Sequence, residues 1–561
     1  MKDYKRLKDP IYGYIEVPMS YMSEIVDSAT FQRLRRIIQT SYSPLYSSAV
    51  HNRFVHSLGV YYLGTIAADS LCREIKLWKA DLKKFNFTNS SEEDLEQIRQ
   101  TFLLACLLHD VGHAPFSHTG EKLYLGGSGN SDYSQIHKEL VDAVGVDSFE
   151  KDLPTDSNKA APHEIMSAIV GIKAFGKFIK LPEERDFFAR CITGYKYKAH
   201  TLEASLKNCF ISLLNSNVID VDKLDYLIRD AYITGFNTVS LDYIRLLQAI
   251  TIQGEGVDWR IAYYKDAISV IENVVYAHDA ERKWIQNHPV VLYECYILNH
   301  IFQHLNTSLN TDSDKLFSYD SLTLEGHELK DGVKVSLLCD DDIVYIMKNV
   351  QACKSDLVEE YFERNKRRHP IWKSEAEYEA LITQTMGDTS SMKSFEHAMK
   401  ATASYLAGTT DTWTVDDTTI EKLQRDLESL KKKDLDKDTL EVQIKDKEAA
   451  LKLVKCLISY AEKHGLVHDF VIIEASQFNS GFAKPDFSKT PVIFNSSSEE
   501  IIETDFETVA KPLQSNRPGR NKFYYLFYRR QNDKEEIDKG ELCKQLAVEF
   551  STVRTKKRTR E

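Results

Sequence analysis

Proline and glycine are scarce in this chain, 13 and 23 among 561 residues, so few positions interrupt a helix. No apolar run approaches the roughly 20 residues that a membrane helix needs. The opening residues, MKDYKRLKDPIYGY, lack the apolar core of a secretion signal. A cytoplasmic protein with no membrane partner is therefore expected. The nine cysteines are scattered, with no Cys-x-x-Cys pair. An odd number, with Cys106 inside an apolar stretch, argues against a secreted disulfide framework. Positive charge is also short. The formal net charge of −12 argues against a broad nucleic-acid coat, although a local basic pocket for phosphates is compatible with it. The basic run from Arg554 to Arg560 reads as a solvated end.

What is present is helical spacing and ordinary globular composition, with 42% hydrophobic and 28% charged residues. Residues Phe54 to Ile75 repeat apolar positions every three to four residues. TFLLACLLHDVGH is apolar enough for a buried helix, and NVIDVDKLDYLIRDAYI reads as another helix. Residues 1–305 are expected to form one mostly helical unit. Composition turns polar near 310, and 306–465 is expected to be a helical extension. In it, LLCDDDIVYIM predicts a helix opening on aspartates, and Thr418 to Gly465 a charged helical pair, read as a solvated insertion before an oligomer arm. After Gly465, DFVIIEAS, TPVIFN and KFYYLFYRR predict strands of a small α+β subdomain over 466–561. The fold class is mainly α, a helical core with an α+β carboxy-terminal region.

The chemistry-bearing residues are His56 in RFVHSLG, His109-Asp110 in LLHDVGH, His163-Glu164, and Asp222 in IDVDKLDYLIRD. Imidazoles and carboxylates together suit a divalent metal or a mixed pair of metals. Neighbouring helical residues point about 100° apart, so His109 and Asp110 reach one ion only at a helix end or bend. Gly112 and Pro115 supply that end. Taken singly, each histidine reads as a hydrogen-bonded core residue, and Asp222 as a helix cap or a partner of Arg229. In this order and context the set points to a metal centre.

The segments RFVHSLGV, HDVGHAPFSH, HE and IDVDKLDYLIRD resemble the HD superfamily and, more narrowly, its deoxynucleoside triphosphate triphosphohydrolases. The resemblance runs from KDPIYGYIEV to about residue 300, with no sterile-alpha-motif domain expected ahead of it. It implies an HD-domain helical core and metal-dependent hydrolysis of dNTPs to deoxynucleoside and triphosphate. It implies His56, His109, Asp110 and Asp222 as ligands of a divalent metal (Mn, Mg, Fe or Zn, one ion or two). His113, His118, Glu121 and His163 fall at catalytic and second-metal positions, with Glu121 standing where the family has Asp. His118 is the better general acid toward the leaving sugar oxygen, since a histidine titrates near neutral pH.

For substrate, the resemblance implies Arg53 and Lys223 at phosphates, Tyr226 and Asp230 at the sugar, and Gln39 at the base and sugar edge. The loop TSYSPLYSSAVHN departs from the glycine-rich version expected after Gln39. DSATFQRLRRI resembles a segment that binds guanine nucleotide between subunits. That implies Asp27, Gln32 and Arg35, with Lys5 upstream, as a site for a GTP or dNTP activator, and a homo-oligomer, dimer or tetramer. Two other readings stand beside this one. The same ligands suit a nuclease acting on single-stranded nucleic acid, which the acidic balance disfavours. A nucleotide-sensing protein without chemistry is disfavoured by the intact His113, His118 and His163.

Overall fold

The computed structural model describes residues 3–82, 92–125, 133–154, 160–217, 219–236, 240–311, 314–408, 412–432, 437–475, 489–496, 501–506, 523–531 and 536–551. The basic tail lies outside them. The chain is mainly helical and divides into two compact units. The first is Met1–Lys283, Leu305–Cys353 and Asn479–Arg517; the second is Trp284–His304, Lys354–Phe478 and Pro518–Glu561.

The first unit opens on an antiparallel hairpin, β1 (Tyr4–Asp9) and β2 (Gly13–Pro18), closed with Asp9 opposite Gly13. Its core helices are α1 (Arg53–Leu82), α2 (Glu92–Leu108), α3 (Pro162–Phe175) and α4 (Val221–Thr234). Helix α2 ends in a fully buried run, Phe102 to Leu108, which explains why its apolar residues show so little one-sidedness. A second hairpin, β3 (Ile250–Glu255) and β4 (Asp258–Tyr264), follows. Residues 1–305 thus hold two hairpins that helical spacing did not announce. Helix α5 (Asp340–Asn349) opens on three aspartates, as its sequence predicts.

The second unit contains the short strand β5 (His369–Pro370) and the charged pair α6 (Asp417–Leu430) and α7 (Lys437–His464). Lys447 reaches Asp426 across that pair at 3.2 Å. Then come β6 (Phe470–Ala475), β7 (Pro491–Ser496), β8 (Ile501–Asp505) and β9 (Phe523–Tyr528). The late strands go to different sheets. In the first unit the order is β8-β7-β4-β3, and in the second it is β5-β9-β6. Strand β9 is buried at every position, which fits a central strand covered on both faces.

Candidate metal and phosphate-chemistry centre

The sequence places its metal-type residues at helix ends, and the structure shows why. His56 lies in the first turn of α1. His109 and Asp110 lie in the turn directly after Leu108, where α2 stops, so the adjacent pair escapes the divergence of helical neighbours. Asp222 is in the first turn of α4. Both structural roles open to it fall to neighbours. Asp220 caps the helix by accepting from the Lys223 N–H at 2.7 Å, and Asp225 takes the Arg229 guanidinium at 2.9 and 3.0 Å. Asp222 is left for the centre.

The four groups converge. His56 Nε2 is 3.0 Å from Asp222 Oδ1 and 3.3 Å from His109 Nε2. His109 Nε2 lies 3.4 Å from Asp110 Oδ1 and 3.7 Å from Asp222 Oδ1. Two glycines make the approach possible. A Cβ on Gly112 would come within 2.3 Å of the Ser167 nitrogen on α3, and one on Gly59 within 1.9 Å of Asp225 Oδ1.

The far side of each imidazole is fixed. His109 Nδ1 is 2.9 Å from the carbonyl of Cys106. A carbonyl only accepts, so Nδ1 carries the proton and Nε2 presents its lone pair inward. His56 Nδ1 is 2.7 Å from Asp225 Oδ2, and Asp225 also accepts from the Tyr12 hydroxyl at 2.7 Å. Arg229, besides gripping Asp225, donates to Asp9 at 3.1 Å. Asp9, Tyr12, Asp225 and Arg229 were missed as functional residues, although all four lie in the segments KDPIYG and IDVDKLDYLIRD. Burial works against charge on His56, yet Asp222 and Asp225 outweigh it and hold its pKa near 10. Asp110 and Asp222 stay well below the usual carboxylate range despite burial. Such a surplus of anionic capacity, with the Nε2 atoms of two imidazoles aimed at the same point, fits a divalent cation, whose binding would displace the His56 proton.

Beside it lies a second cluster. His113 and His163 stack with centroids 4.0 Å apart at 14°, and His118 meets each edge-on at 5.1 Å. Their nitrogens are close enough together to hold an ion. Glu121 bridges two of them, hydrogen-bonding His163 Nδ1 through one oxygen and lying 3.3 Å from His118 Nδ1 through the other. Burial disfavours charge on His163, but Glu121 more than restores it, to about 9. His113 is held neutral by burial and by the positive charges of Arg53 and His163, with its Nε2 3.3 Å from Asp110 Oδ1. The side chain of His118 is exposed. Glu164, next to His163, turns the other way. It accepts from the Ala161 N–H at 2.6 Å and from Asn215 at 2.8 Å.

The loop that carries His113 and His118 is strained and clamped. Phe116 and Ser117 both have positive φ, 56° and 55°, a conformation costing roughly 1–3 kcal/mol per residue. The Phe116 N–H donates to Asp340 Oδ1 at 2.7 Å, and the Ile38 N–H to Asp340 Oδ2 at 2.8 Å. Buried Arg33 donates to the carbonyls of Val111 at 2.7 Å, His113 at 3.0 Å and Leu338 at 2.8 Å. The sequence marked neither residue, because each acts on backbone groups distant along the chain.

The residues read as substrate contacts are mostly committed. Arg53 is buried and donates to Asp110 at 2.8 Å, Ser117 at 2.9 Å and the Gln39 carbonyl at 3.2 Å. Gln39 is buried, and its Oε1 has no partner among the described residues. Lys223 Nζ donates to Asp220 at 2.6 Å and to the Ser216 carbonyl at 2.8 Å. Asp230 lies 2.6 Å from His51 Nε2. Burial, with Glu281 and Asp222 nearby, keeps the Tyr226 phenol protonated. In the segment read as an activator site, Arg35 donates to Gln32 at 2.9 Å and packs over the Phe54 ring. Asp27 and Lys5 are exposed, Lys5 on β1.

Residues 53–170 match the family model described as HD domain. Over 296 residues, 52% of the chain, it is 27% identical to 47% of the deoxynucleoside triphosphate triphosphohydrolase SAMHD1 homolog of Dictyostelium discoideum. Over 258 residues, 44% of the chain, it is 32% identical to 38% of deoxynucleoside triphosphate triphosphohydrolase SAMHD1 of Bos taurus. The uncharacterized protein YwfO of Bacillus subtilis is 28% identical over 251 residues, 45% of each chain. The chain spans about half the length, or less, of the curated relatives it matches.

Proposed function

We propose, from the premise that this chain carries an HD domain and is related to deoxynucleoside triphosphate triphosphohydrolases, that it hydrolyses dNTPs to deoxynucleoside and triphosphate. The observation that carries the reading is one constellation. Two imidazole Nε2 atoms and two carboxylates converge on a point beside a histidine cluster organised by Glu121. His56, His109, Asp110 and Asp222 would hold a divalent ion. Such an ion supplies Lewis acidity toward phosphoryl oxygen and water.

The chain's own groups supply the rest. His118, exposed and backed by Glu121 at Nδ1, is suited to deliver a proton from Nε2 to the leaving 5′ oxygen. His163, charged at neutral pH through Glu121, offsets phosphate charge. Lys223 and Arg53 add positive charge near the phosphates, and Tyr226 and Asp230 face the sugar, with the unpartnered Gln39 Oε1 offering an acceptor to sugar or base. Asp27, Gln32, Arg35 and Lys5 are read as a guanine-nucleotide activator site shared between copies of the chain.

The test is product analysis. Purified protein is incubated with Mn²⁺ or Mg²⁺ and each dNTP, with and without GTP, beside a His109→Ala, Asp110→Ala double variant and beside single-stranded DNA as substrate. Nucleoside plus triphosphate, absent with the double variant, is the expected result, and dependence on GTP would support the activator site. Absence of dNTP turnover under every condition, with DNA shortened by the wild type alone, overturns the reading in favour of a nuclease.

A further inference from the structure

A cavity of about 900 Å³ lies in the first unit. Four cations border it, Lys196, Lys198, Arg260 and Lys489. All four are exposed. None of the four side chains has a carboxylate partner among the described residues; Arg260 donates to the neutral Gln253 at 2.9 Å, and it is the Lys198 backbone N–H that donates to Asp152 at 3.4 Å. On a chain with 84 acidic side chains and net charge −12, these four cations give one concavity a locally positive rim.

The acids on the same wall are occupied elsewhere. Asp152 pairs with the buried Arg190 at 3.0 Å. Glu164 is turned onto Ala161 and Asn215, and burial raises its carboxyl above the ordinary range. A concave surface on which free charge of one sign predominates concentrates counter-ions, and the volume lies within the range of small-molecule sites.

The wall is also shared with the candidate centre. Glu164 directly follows His163, and Ser216, which borders the cavity, holds Lys223 Nζ through its carbonyl at 2.8 Å. We propose that this cavity binds a polyphosphate anion, free or as part of a nucleoside polyphosphate, at a site separate from the His–Asp centre and from the Asp27, Gln32 and Arg35 segment. Its occupant is felt at the centre through Glu164 and Ser216. That second effect rests on the phosphohydrolase reading; the binding does not.

Inorganic triphosphate titrated calorimetrically into the full chain in the presence of EDTA tests the site without any turnover. Saturable binding is expected, retained by the His109→Ala, Asp110→Ala variant and by the distant control Arg6→Glu. A Lys196→Glu, Arg260→Glu double variant should bind at least about tenfold more weakly. The single variants Lys198→Glu and Lys489→Glu, at exposed positions, should each weaken it in the same direction and serve if the double variant fails to fold. No binding by the wild type, equal loss in Arg6→Glu, loss in the His109→Ala, Asp110→Ala variant, or full binding in the rim variants overturns the proposal. So does binding of single-stranded oligonucleotide, rim-dependent, with no response to triphosphate. Failure of dNTP turnover alone would strike the function proposed above and leave this result standing.

Discussion

Asp340 accepts a hydrogen bond from the backbone N–H of Phe116 at 2.7 Å, across 224 positions of sequence. The loop that carries His113 and His118 is therefore held in its left-handed turn from outside the matched HD region. Burial pushes the Asp340 carboxyl up to about 7, against the pull of the Ile38 and Phe116 N–H groups. A carboxyl raised in the folded state binds more protons there than in the unfolded chain. Its contribution to stability is therefore complete below about pH 4 and lost as pH rises through 7. Wild-type protein should lose about 4 kcal/mol from this group between pH 4 and pH 8. Asp340→Asn should be less stable in acid, having lost an acceptor, and should show a flatter profile. Denaturant midpoints at several pH values measure both, and an unchanged slope would count against the assignment.

Arg33 leaves three carbonyls without their donor when it is replaced. Arg33→Met should cost about 2–4 kcal/mol, since buried carbonyls of Val111, His113 and Leu338 lose hydrogen bonds to a charged group. Because two of those carbonyls belong to the candidate catalytic loop, kcat should fall while the protein remains folded at low temperature. Thermal melts and steady-state rates on the same sample separate the two effects.

Asp225 orients His56 from behind. Asp225→Asn keeps the shape but weakens the acceptor, and metal affinity should fall roughly tenfold to a hundredfold, as for other groups that support metal-bound imidazoles. Metal content after dialysis against graded chelator gives the answer. Retention equal to wild type would make the His56–Asp225 contact purely structural.

Glu121 serves two histidines at once, and the length of its side chain sets the span. Glu121→Asp should loosen at least one of the contacts to His118 and His163, lowering kcat by about tenfold or more with little change in KM. Wild-type kinetics in the shortened variant would mean that only one of the two contacts matters to turnover.

Much of this was legible in the sequence, for identifiable reasons. Helices α1 and α4 announce themselves through apolar spacing and α2 through an apolar run, and the stop of α2 at Leu108 follows from the Gly and Pro just beyond it. The charged pair α6 and α7 and the strands after Gly465 were equally readable, since each depends on local pattern. The hairpin β3–β4 is harder to read, although ITIQGEGVDWRIAYY alternates around a turn, because long helical segments flank it on both sides. Which sheet each late strand joins is set by long-range pairing, as where β7 runs parallel to β4, and no local signal carries it. At the candidate site, residue types whose chemistry is distinctive stood out. Arg33, Asp340 and Asp225 did not, because a buried arginine or aspartate looks like any surface charge until its partner is known.

The hairpin turn at Asp9 and Tyr12 closes on Arg229 and Asp225, which in turn fix His56. A fragment trimmed to residues 53–170, the span of the family match, would keep His109 on the Cys106 carbonyl and Asp110 on Arg53, but would hold His56 with nothing to aim it. It would lack Asp222, the carboxylate behind His56, and the amino-terminal residues that neutralise Arg229. Boundaries drawn by similarity and boundaries at which the polypeptide can be cut are different things here, and transplantable chemistry begins no later than Asp9.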